Sequence, residues 1–468
     1  MQRSVPPVSQ AAAPDASPEK GPEEEAPPIS TADGVIQELQ RNAVEYLRLQ
    51  FTDMFGAMKQ LIVHRDEAKA ALEGKVLFDG SSVKGYGGVD QSDLALHPDP
   101  TSFHVETWHV KATRIASVYC DVRTADGDRA PGCTRSMLRE VISEAKQMGY
   151  SYHIGVEGEF FLYPLDEQGV PIPETHDQGG YFDPFPLDRG EEAKLELLQE
   201  MRKQGFRLEA SHHEVAPGQH EINFRFGEAL SIADRWQTFK QLTKQVAMRN
   251  GLHATFMPKP MSGHNGNALH CNQSLQQKGR GNAFHDPEAR TELSDTALHF
   301  VAGLLNHAKG MAAISNPVVN SYKRLVPGHE APTHIAWSGS NRSALIRIPA
   351  ARGAGTRVEY RPPDPTANPY LLFAIMLKSG LEGIRNREAP PEEATGNLHS
   401  LAEQACSPWD AYPRDLYEAL QHMERDTLVR DVMGEEAMRE YVSEKYREYG
   451  SYAAEVHDWE MTAYFRSF

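Results

Sequence analysis

Residues 152–162 read Tyr152-His153-Ile154-Gly155-Val156-Glu157-Gly158-Glu159-Phe160-Phe161-Leu162. Small and apolar residues alternate with Glu157 and Glu159, which is the two-residue period of a β-strand and not the 3.6-residue period of a helix. Alternation puts both carboxylates on one face, where they repel each other. An isolated pair of this kind usually marks a solvated strand face. Here Ile154, Val156, Phe160, Phe161 and Leu162 have the character of a buried strand, and buried paired carboxylates need cations or protons.

Working outward, a second acidic pair lies in His212-His213-Glu214-Val215-Ala216-Pro217-Gly218-Gln219-His220-Glu221. A tight turn at Pro217-Gly218 makes a hairpin in which Glu214 and Glu221 are expected to fall opposite each other and share an ion. His270 and Glu359 follow in further strand-like segments with small or apolar flanks. A lone buried histidine is more often a hydrogen-bonded core residue than a ligand. As a set, five glutamates and one histidine favour hard ions, Mg²⁺ or Mn²⁺ over zinc, and suffice for two or three of them.

Arg324, Arg342, Arg347, Arg357 and Arg361 crowd into residues 324–361, several on short strand-like pieces. Any one could be a surface ion pair; five together point to carboxylate or phosphate. The chain has no GxxxxGK[ST] loop, and Gly85-Tyr86-Gly87-Gly88 makes no dinucleotide fingerprint. A bound nucleotide must then have its phosphates held directly by arginine and metal. That is the electrostatic arrangement phosphoryl transfer requires.

Other strand-like segments, at 214–226, 253–257, 334–337, 343–348 and 357–361, are too widely separated for a simple sandwich. Helical patterns lie between them at 135–148, 191–204, 230–250 and, longest, 291–315. This is the layout of a large α+β domain over 131–468, charged and mostly helical beyond about residue 400, with an apolar finish at Trp459, Tyr464 and Phe465. Before it, Val35, Ile36, Leu39, Val44, Leu47 and Phe51 recur near helical spacing and strand-like pieces follow, giving a small α+β domain over 31–130. Residues 1–30, rich in Pro, Ala, Ser and Glu, have almost nothing apolar to bury and are expected to form a disordered tail.

A chain of 468 residues with 40% hydrophobic content has room for two or three domains. Its net charge of −17, from 65 acidic against 48 basic residues, repels nucleic acid and anionic lipid. No run approaches the roughly 20 apolar residues of a membrane span, and the N-terminus lacks the layout of a signal peptide. A cytoplasmic enzyme acting on small molecules is expected, with neither nucleic acid nor membrane as partner. Cys120, Cys133, Cys271 and Cys406 lie far apart with no CxxC pair, so free thiols are expected instead of a disulfide framework or thiolate zinc site.

Several segments, in order from about residue 35 to the C-terminus, together resemble the type I glutamine synthetases. They are Phe78-Asp79-Gly80-Ser81-Ser82, Glu157-Gly158-Glu159-Phe160-Phe161, His212-His213-Glu214-Val215, Gly218-Gln219-His220-Glu221 and Phe256-Met257-Pro258-Lys259-Pro260. Asn320-Ser321-Tyr322-Lys323-Arg324-Leu325-Val326-Pro327-Gly328, Asn341-Arg342-Ser343, Arg357-Val358-Glu359 and Asn368-Pro369-Tyr370 complete the set. The resemblance implies a small β-grasp-like N-terminal domain and a large catalytic domain with a curved, barrel-like antiparallel sheet and surrounding helices. It implies a dodecamer of two stacked hexameric rings with active sites between subunits. The implied reaction joins ammonia to the γ-carboxylate of L-glutamate at the expense of ATP, through γ-glutamyl phosphate.

It also implies roles. Glu159, Glu214 and Glu221 resemble the ligands of one metal, and Glu157, His270 and Glu359 those of a second that bridges the ATP phosphates. Arg324, Arg342 and Arg361 match positions holding glutamate or the transferring phosphoryl group, and Asn265 and Gly266 match the loop at the amino-acid end of glutamate. Ser274 and Arg357 match nucleotide contacts, and Arg347 is placed with them. Asp79 resembles the base that deprotonates ammonium, and Glu330 the flap residue that closes the site.

The chain departs from the family pattern in places. Asn265-Gly266-Asn267-Ala268-Leu269-His270 replaces a more glycine-rich run, and Asn272 stands where many members carry a histidine. Gly88 replaces a glutamine-sensing arginine, His399 an adenylylated tyrosine and His329 a flap aromatic, which argues against those two controls. The nearest rival reading is a γ-glutamyl ligase using a polyamine, ethanolamine or methylamine. Retention of Asp79 and Glu330, which make an ammonium pocket, favours ammonia. An inactive structural or regulatory relative should have lost metal ligands, and all six are present. A guanidino kinase would not need the ammonium pocket.

Overall fold

The computed structural model describes residues 29–87, 92–107, 113–339, 341–395 and 408–468. The tail expected over 1–30 lies outside them up to residue 28, and Gly88, His399 and Cys406 also lie outside.

Helix α1 (Ala32–Arg41) starts at Thr31, whose hydroxyl accepts the Gly34 N–H at 3.1 Å, and buries Val35 and Leu39 one turn apart. The helical spacing read over 35–51 spans two elements. The chain reverses at Ala43 (φ 50°), and Leu47, Leu49 and Phe51 then follow the two-residue period of β1 (Tyr46–Thr52). Next come β2 (Met58–His64), α2 (Ala68–Leu72), β3 (Val76–Asp79), β4 (Asp93–Pro98), β5 (His104–Val105) and β6 (Ile115–Thr124). They form a sheet in the order β2-β1-β6-β4-β3, with β5 also on β6 and with β1 and β6 parallel. Val35, Leu39, Leu47, Leu49, Leu96 and Val118 form the core beneath it.

After α3 (Thr134–Gln147), the 15-residue strand β7 (Tyr150–Pro164) is the spine of the second sheet. It is followed by α4 (Glu191–Lys203), β8 (Leu208–His213), β9 (Gln219–Phe224), β10 (Gly227–Glu228), α5 (Ala229–Arg249) and β11 (Leu252–Thr255). Then come β12 (Leu269–Gln277), β13 (Gly281–Asn282), α6 (Asp295–Asn306), α7 (Ala308–Ser315), α8 (Ser321–Arg324), β14 (Trp337–Ser338), β15 (Ile346–Arg347), β16 (Val358–Tyr360) and α9 (Pro369–Asn386). The strands run β14-β15-β16-β12-β7-β9-β8, with β10 and β11 also on β7 and β13 on β12. Every pairing given is antiparallel except β14 with β15. The sheet curls into a half-barrel backed by helices.

The long helical pattern at 291–315 is two helices. His307 breaks it with bridge-region backbone (φ −97°, ψ 4°), its imidazole held by Asp426 at 2.9 Å and Glu382 at 3.1 Å. Helix α9 is apolar all round and fully buried from Leu371 to Leu377, as a central core helix must be.

Two devices join the sheets. The Asn368 side chain caps α9, accepting from Tyr370 and Leu371 N–H, and donates to the carbonyls of Asp53 and Met54 beside the first sheet. Arg135 on α3 donates to Asp99 and Asp121 of the first domain and to Asp234 on α5, all at 2.8–3.0 Å. Cys120, Cys133 and Cys271 are buried free thiols. Among the described residues no helix is long and apolar enough to cross a membrane.

Candidate active site

The two faces of β7 have different duties. Phe160 packs on Phe239 and Phe256 toward α5, and a Cβ on Gly158 would come within 2.3 Å of the Trp236 ring. The residue between the two glutamates must therefore lack a side chain. Glu157 and Glu159 point the other way. Register sets His270 of β12 opposite Glu157, and Glu221 of β9 opposite Glu159.

Glu157, His270 and Glu359 form one group, with a ligand atom from each within 4.8 Å of the others. Glu157 Oε2 is 3.2 Å from His270 Nδ1, and Glu359 Oε1 lies 3.9 Å from the same nitrogen. Glu359, 1% exposed, is fixed by Arg347 at 2.6 Å and Arg361 at 2.5 Å. Asn272 donates to Glu157 Oε1 at 2.9 Å and accepts from Arg357 Nε at 3.0 Å, so the glutamate is oriented from behind.

His212, Glu214 and Glu221 form the second group, again within 4.8 Å. The hairpin differs from the sequence expectation by one step of the ladder. Gln219 N–H donates to Ala216 C=O, with Pro217 second and Gly218 (φ 69°) third in the turn, as a type II turn requires. That geometry sets His212 opposite Glu221 and pairs Glu214 with Gln219, so Glu214 and Glu221 are diagonal neighbours on one face. Glu159 borders the group, its Oε2 accepting from Gln219 Nε2 at 2.9 Å and Ala268 N–H at 2.8 Å.

Electrostatics decide what this arrangement can hold. Burial, then the Glu214 and Glu221 charges, push the Glu159 carboxyl well above its ordinary range. Burial, Glu157 and Glu214 raise Glu221 to about 7. Glu157 goes the other way: burial opposes its charge, but the His270 and Asn272 hydrogen bonds outweigh it and hold it below the usual range. Burial and nearby Arg361 lower the His270 pKa, which favours the neutral imidazole that can serve as a metal ligand once the proton facing Glu157 is displaced. A site this rich in carboxylate oxygen, with Glu159 and Glu221 raised by burial and by neighbouring carboxylates, fits hard divalent cations.

Around it stand the arginines. Arg324 is 2% exposed and donates to the carbonyls of Pro362 at 2.6 Å and Arg361 at 3.2 Å, with Gly266 against its stem. The Gly266 carbonyl accepts from Gln219, linking that loop to Glu159, and Asn265 is half-buried beside it. Arg342 is exposed and donates to Tyr181, which senses the Glu214 charge, so it lies at that edge of the site. Glu330 is exposed, with strained left-handed backbone (φ 53°) costing on the order of 1–3 kcal/mol. Arg361 Nη2 donates to its carbonyl at 3.5 Å. A cavity of about 260 Å³ opens beside Glu157, lined by Asn223, Phe226, Asn272, Ser274 and Arg357.

Asp79 stands apart. It is exposed at the end of β3, and its carboxylate accepts from the N–H and hydroxyl of Ser81 and from the Ser82 hydroxyl. The sequence reading overlooked His212 as a possible ligand, and Gln219 and Asn223 as supports. Gln219 and Asn223 each lie two residues from Glu221, so strand period alone could have flagged them. Nothing local could have flagged Phe226 in the cavity wall.

Family models match both parts of the chain: glutamine synthetase, beta-Grasp domain, over residues 43–125, and glutamine synthetase, catalytic domain, over 131–464. A glutamine synthetase of Clostridium saccharobutylicum is 45% identical over 440 residues, covering 94% of this chain and 99% of that one. One from Methanosarcina mazei is 44% identical over 437 residues, covering 93% and 98%. Among solved structures, a GmaS/ADP complex superposes with a TM-score of 0.84 at 30% identity, covering 92% of this chain and 99% of that one.

Proposed function

The chain belongs to the glutamine synthetase family, and from that premise we propose how its residues divide the work of joining ammonia to glutamate. It is a glutamate–ammonia ligase, using ATP and divalent metal ions. Glu159, Glu214 and Glu221 hold one ion and Glu157, His270 and Glu359 a second, with Mg²⁺ or Mn²⁺ the ions these oxygen donors suit. When bound, the ions neutralise phosphate oxygens so that an anionic carboxylate can approach them.

Asn265, Gly266 and Arg324 orient glutamate, Ser274 and Arg357 hold the nucleotide in the cavity beside Glu157, and Arg347 meets its phosphates from beside Glu359. A γ-carboxylate oxygen attacks the terminal phosphorus, the bond to the ADP oxygen breaks, and γ-glutamyl phosphate forms. Arg342 and Arg361 offset the charge that spreads over the transferring group. Ammonia then attacks the acyl carbon, the adduct gives up a proton that leaves to solvent with the phosphate, and phosphate departs with the electrons of the C–O bond. Glu330, on the flap anchored through Arg361, keeps water from the acyl phosphate.

Asp79 takes the proton from ammonium, acting in a neighbouring subunit's site. Supporting this is its exposure on the first sheet, while the carboxylate groups are built on the second. The assembly we propose is a dodecamer of two hexameric rings, in the cytoplasm.

The observation that carries this reading is the pair of register matches one step apart, Glu157 with His270 and Glu159 with Glu221, which concentrate ligands where two anions must meet. The test is ATP-dependent amide formation from glutamate with ammonium, methylamine, ethanolamine and a polyamine, before and after metal removal. Ammonium should be the preferred acceptor, and chelation should abolish the reaction. Preference for an organic amine, or indifference to chelation, overturns the reading.

A further inference from the structure

The β8–β9 hairpin has a second polar face. Alternation sends His212, Glu214 and Glu221 to one side, and His213 and His220 to the other. There the two histidines meet Asp177 and Asp188 from the connection before α4. His213, His220, Asp177 and Asp188 are all buried, at 1%, 0%, 3% and 2% exposure. One ligand atom from each lies within 4.8 Å of those from the others. Asp177 Oδ1 is 3.3 Å from His213 Nε2, and Asp188 Oδ1 is 3.9 Å from His220 Nδ1.

Three details point to a ligand among them. His213 Nδ1 lies 2.7 Å from the Glu214 carbonyl, which accepts that nitrogen's N–H, and the ring's Nε2 faces Asp177 Oδ1 at 3.3 Å, where an ion can replace a proton. His220 is wholly buried, yet neither of its ring nitrogens has a hydrogen-bond partner among the described residues, a condition that calls for an explanation. The backbone is glycine beside both rings: a Cβ on Gly179 would come within 2.7 Å of His213 Nε2, and one on Gly190 within 2.7 Å of His220 Nε2.

The carboxylates are oriented as metal-binding carboxylates are, by outer hydrogen bonds. Asp177 accepts from the N–H of Gly218 at 2.7 Å and of Gly179 and Arg189 at 3.3 Å. Asp188 accepts from Gly190 N–H at 2.9 Å and from the Lys194 ammonium at 2.5 Å. Lys194 pairs with Asp188, and His176 Nε2 lies 3.5 Å from Asp177 Oδ2.

We infer that Asp177, Asp188, His213 and His220 form a four-coordinate structural site for a zinc-class divalent ion. Two imidazoles and two carboxylates are a donor set for a tetrahedral transition ion, unlike the oxygen-rich face that suits Mg²⁺ or Mn²⁺. The ion clamps the segment carrying Asp177 and Asp188 to the back of the hairpin and so fixes the spacing of Glu214 and Glu221 in front. The inference stands on the rear face and does not depend on roles assigned to the front.

The test uses the whole enzyme, stripped with chelator, reloaded with Co²⁺ and dialysed against excess Mg²⁺. Wild-type protein should retain about one Co²⁺ per chain with the strong visible absorption of tetrahedral Co²⁺. That band should fall at least tenfold in His220→Phe and in Gly190→Ala, whose Cβ fills the space at His220, and persist in Glu214→Gln. A wild type that retains no Co²⁺, or a band lost in Glu214→Gln but kept in His220→Phe, overturns the inference. Thermal unfolding gives a reading free of activity: Zn²⁺ added in excess Mg²⁺ should raise the melting temperature of the stripped wild type, and no rise counts against the site.

Discussion

Glu159 and Glu221 face each other across the β7–β9 ladder, and each is raised by burial and by neighbouring carboxylates. The pair costs the metal-free protein stability and, in the role proposed for it, gives the loaded protein its grip on cations. Glu221→Gln should therefore have effects of opposite sign. Catalysis should fall roughly 10²–10³-fold, the scale of losing one preorganised electrostatic group. The melting temperature of metal-free protein should rise, because a buried repulsion has gone. Thermal scans with and without Mg²⁺, beside the activity assay, check both; a metal-free variant that melts lower than wild type contradicts the electrostatic account.

Gln219 acts through Glu159, holding its Oε2 while also bonding the Gly266 carbonyl. Replacing it with leucine keeps the approximate size and removes both bonds. Mg²⁺ affinity should drop about 10–100-fold, the usual cost of losing a group that orients a ligand. Raising Mg²⁺ should then recover much of the rate. A loss that no Mg²⁺ concentration recovers places Gln219 in the chemistry instead.

The strand carrying Glu157 and Glu159 was legible because a two-residue period needs no tertiary information, and the Pro217-Gly218 turn was legible because only certain residues fit it. Which glutamate meets which was not. The type II turn shifts the ladder so that Glu214 and Glu221 sit on a diagonal, and turn geometry sets that offset. The break at His307 was invisible for a related reason, since Glu382 and Asp426 that hold it come from distant segments. In 35–51 a strand following a short helix happened to continue the helical spacing.

Asp79 and the carboxylate groups lie on different sheets, which makes a mixing experiment decisive for subunit sharing. Asp79→Ala alone should raise the ammonium requirement strongly, and Glu359→Gln alone should abolish activity. Dissociated and reassembled together, the two variants should regain a share of activity, because some sites then combine an intact Asp79 with an intact Glu359. Reassembly without recovery would argue that each chain completes its own site.

His307 should give stability a pH dependence. Burial opposes its charge, but bonds to Asp426 and Glu382 outweigh that and raise its pKa above the ordinary value. The folded state then holds the proton more tightly than the unfolded chain, so the contribution is full below the unfolded pKa of about 6.5 and is lost as pH rises through the folded value. Melting temperatures of wild type and His307→Gln should differ most near pH 6 and converge in the alkaline range, as roughly set by these pKa values. A gap that widens with rising pH would show that His307 is clasped in its neutral form.

Arg135 and Arg139 occupy successive turns of α3 and share Asp99 and Asp121, yet they should differ sharply in worth. Arg135 is 3% exposed at its side chain and also pairs with Asp234, whose Oδ1 accepts from Tyr370, so it joins the first sheet to α5 and α9. Arg135→Met leaves Asp234 without its cation and Asp99 and Asp121 with Arg139 alone, and the uncompensated buried charge should cost about 3–5 kcal/mol. Arg139, 46% exposed, is screened by water, and Arg139→Met should cost no more than about 1 kcal/mol. Because this joint sets how the sheet bearing Asp79 is carried relative to the catalytic sheet, Arg135→Met should also raise the ammonium requirement. Thermal unfolding and ammonium titration of the two variants check this; equal melting temperatures would show that the joint is held by Asn368 and the surrounding apolar contacts, not by the Arg135 charge.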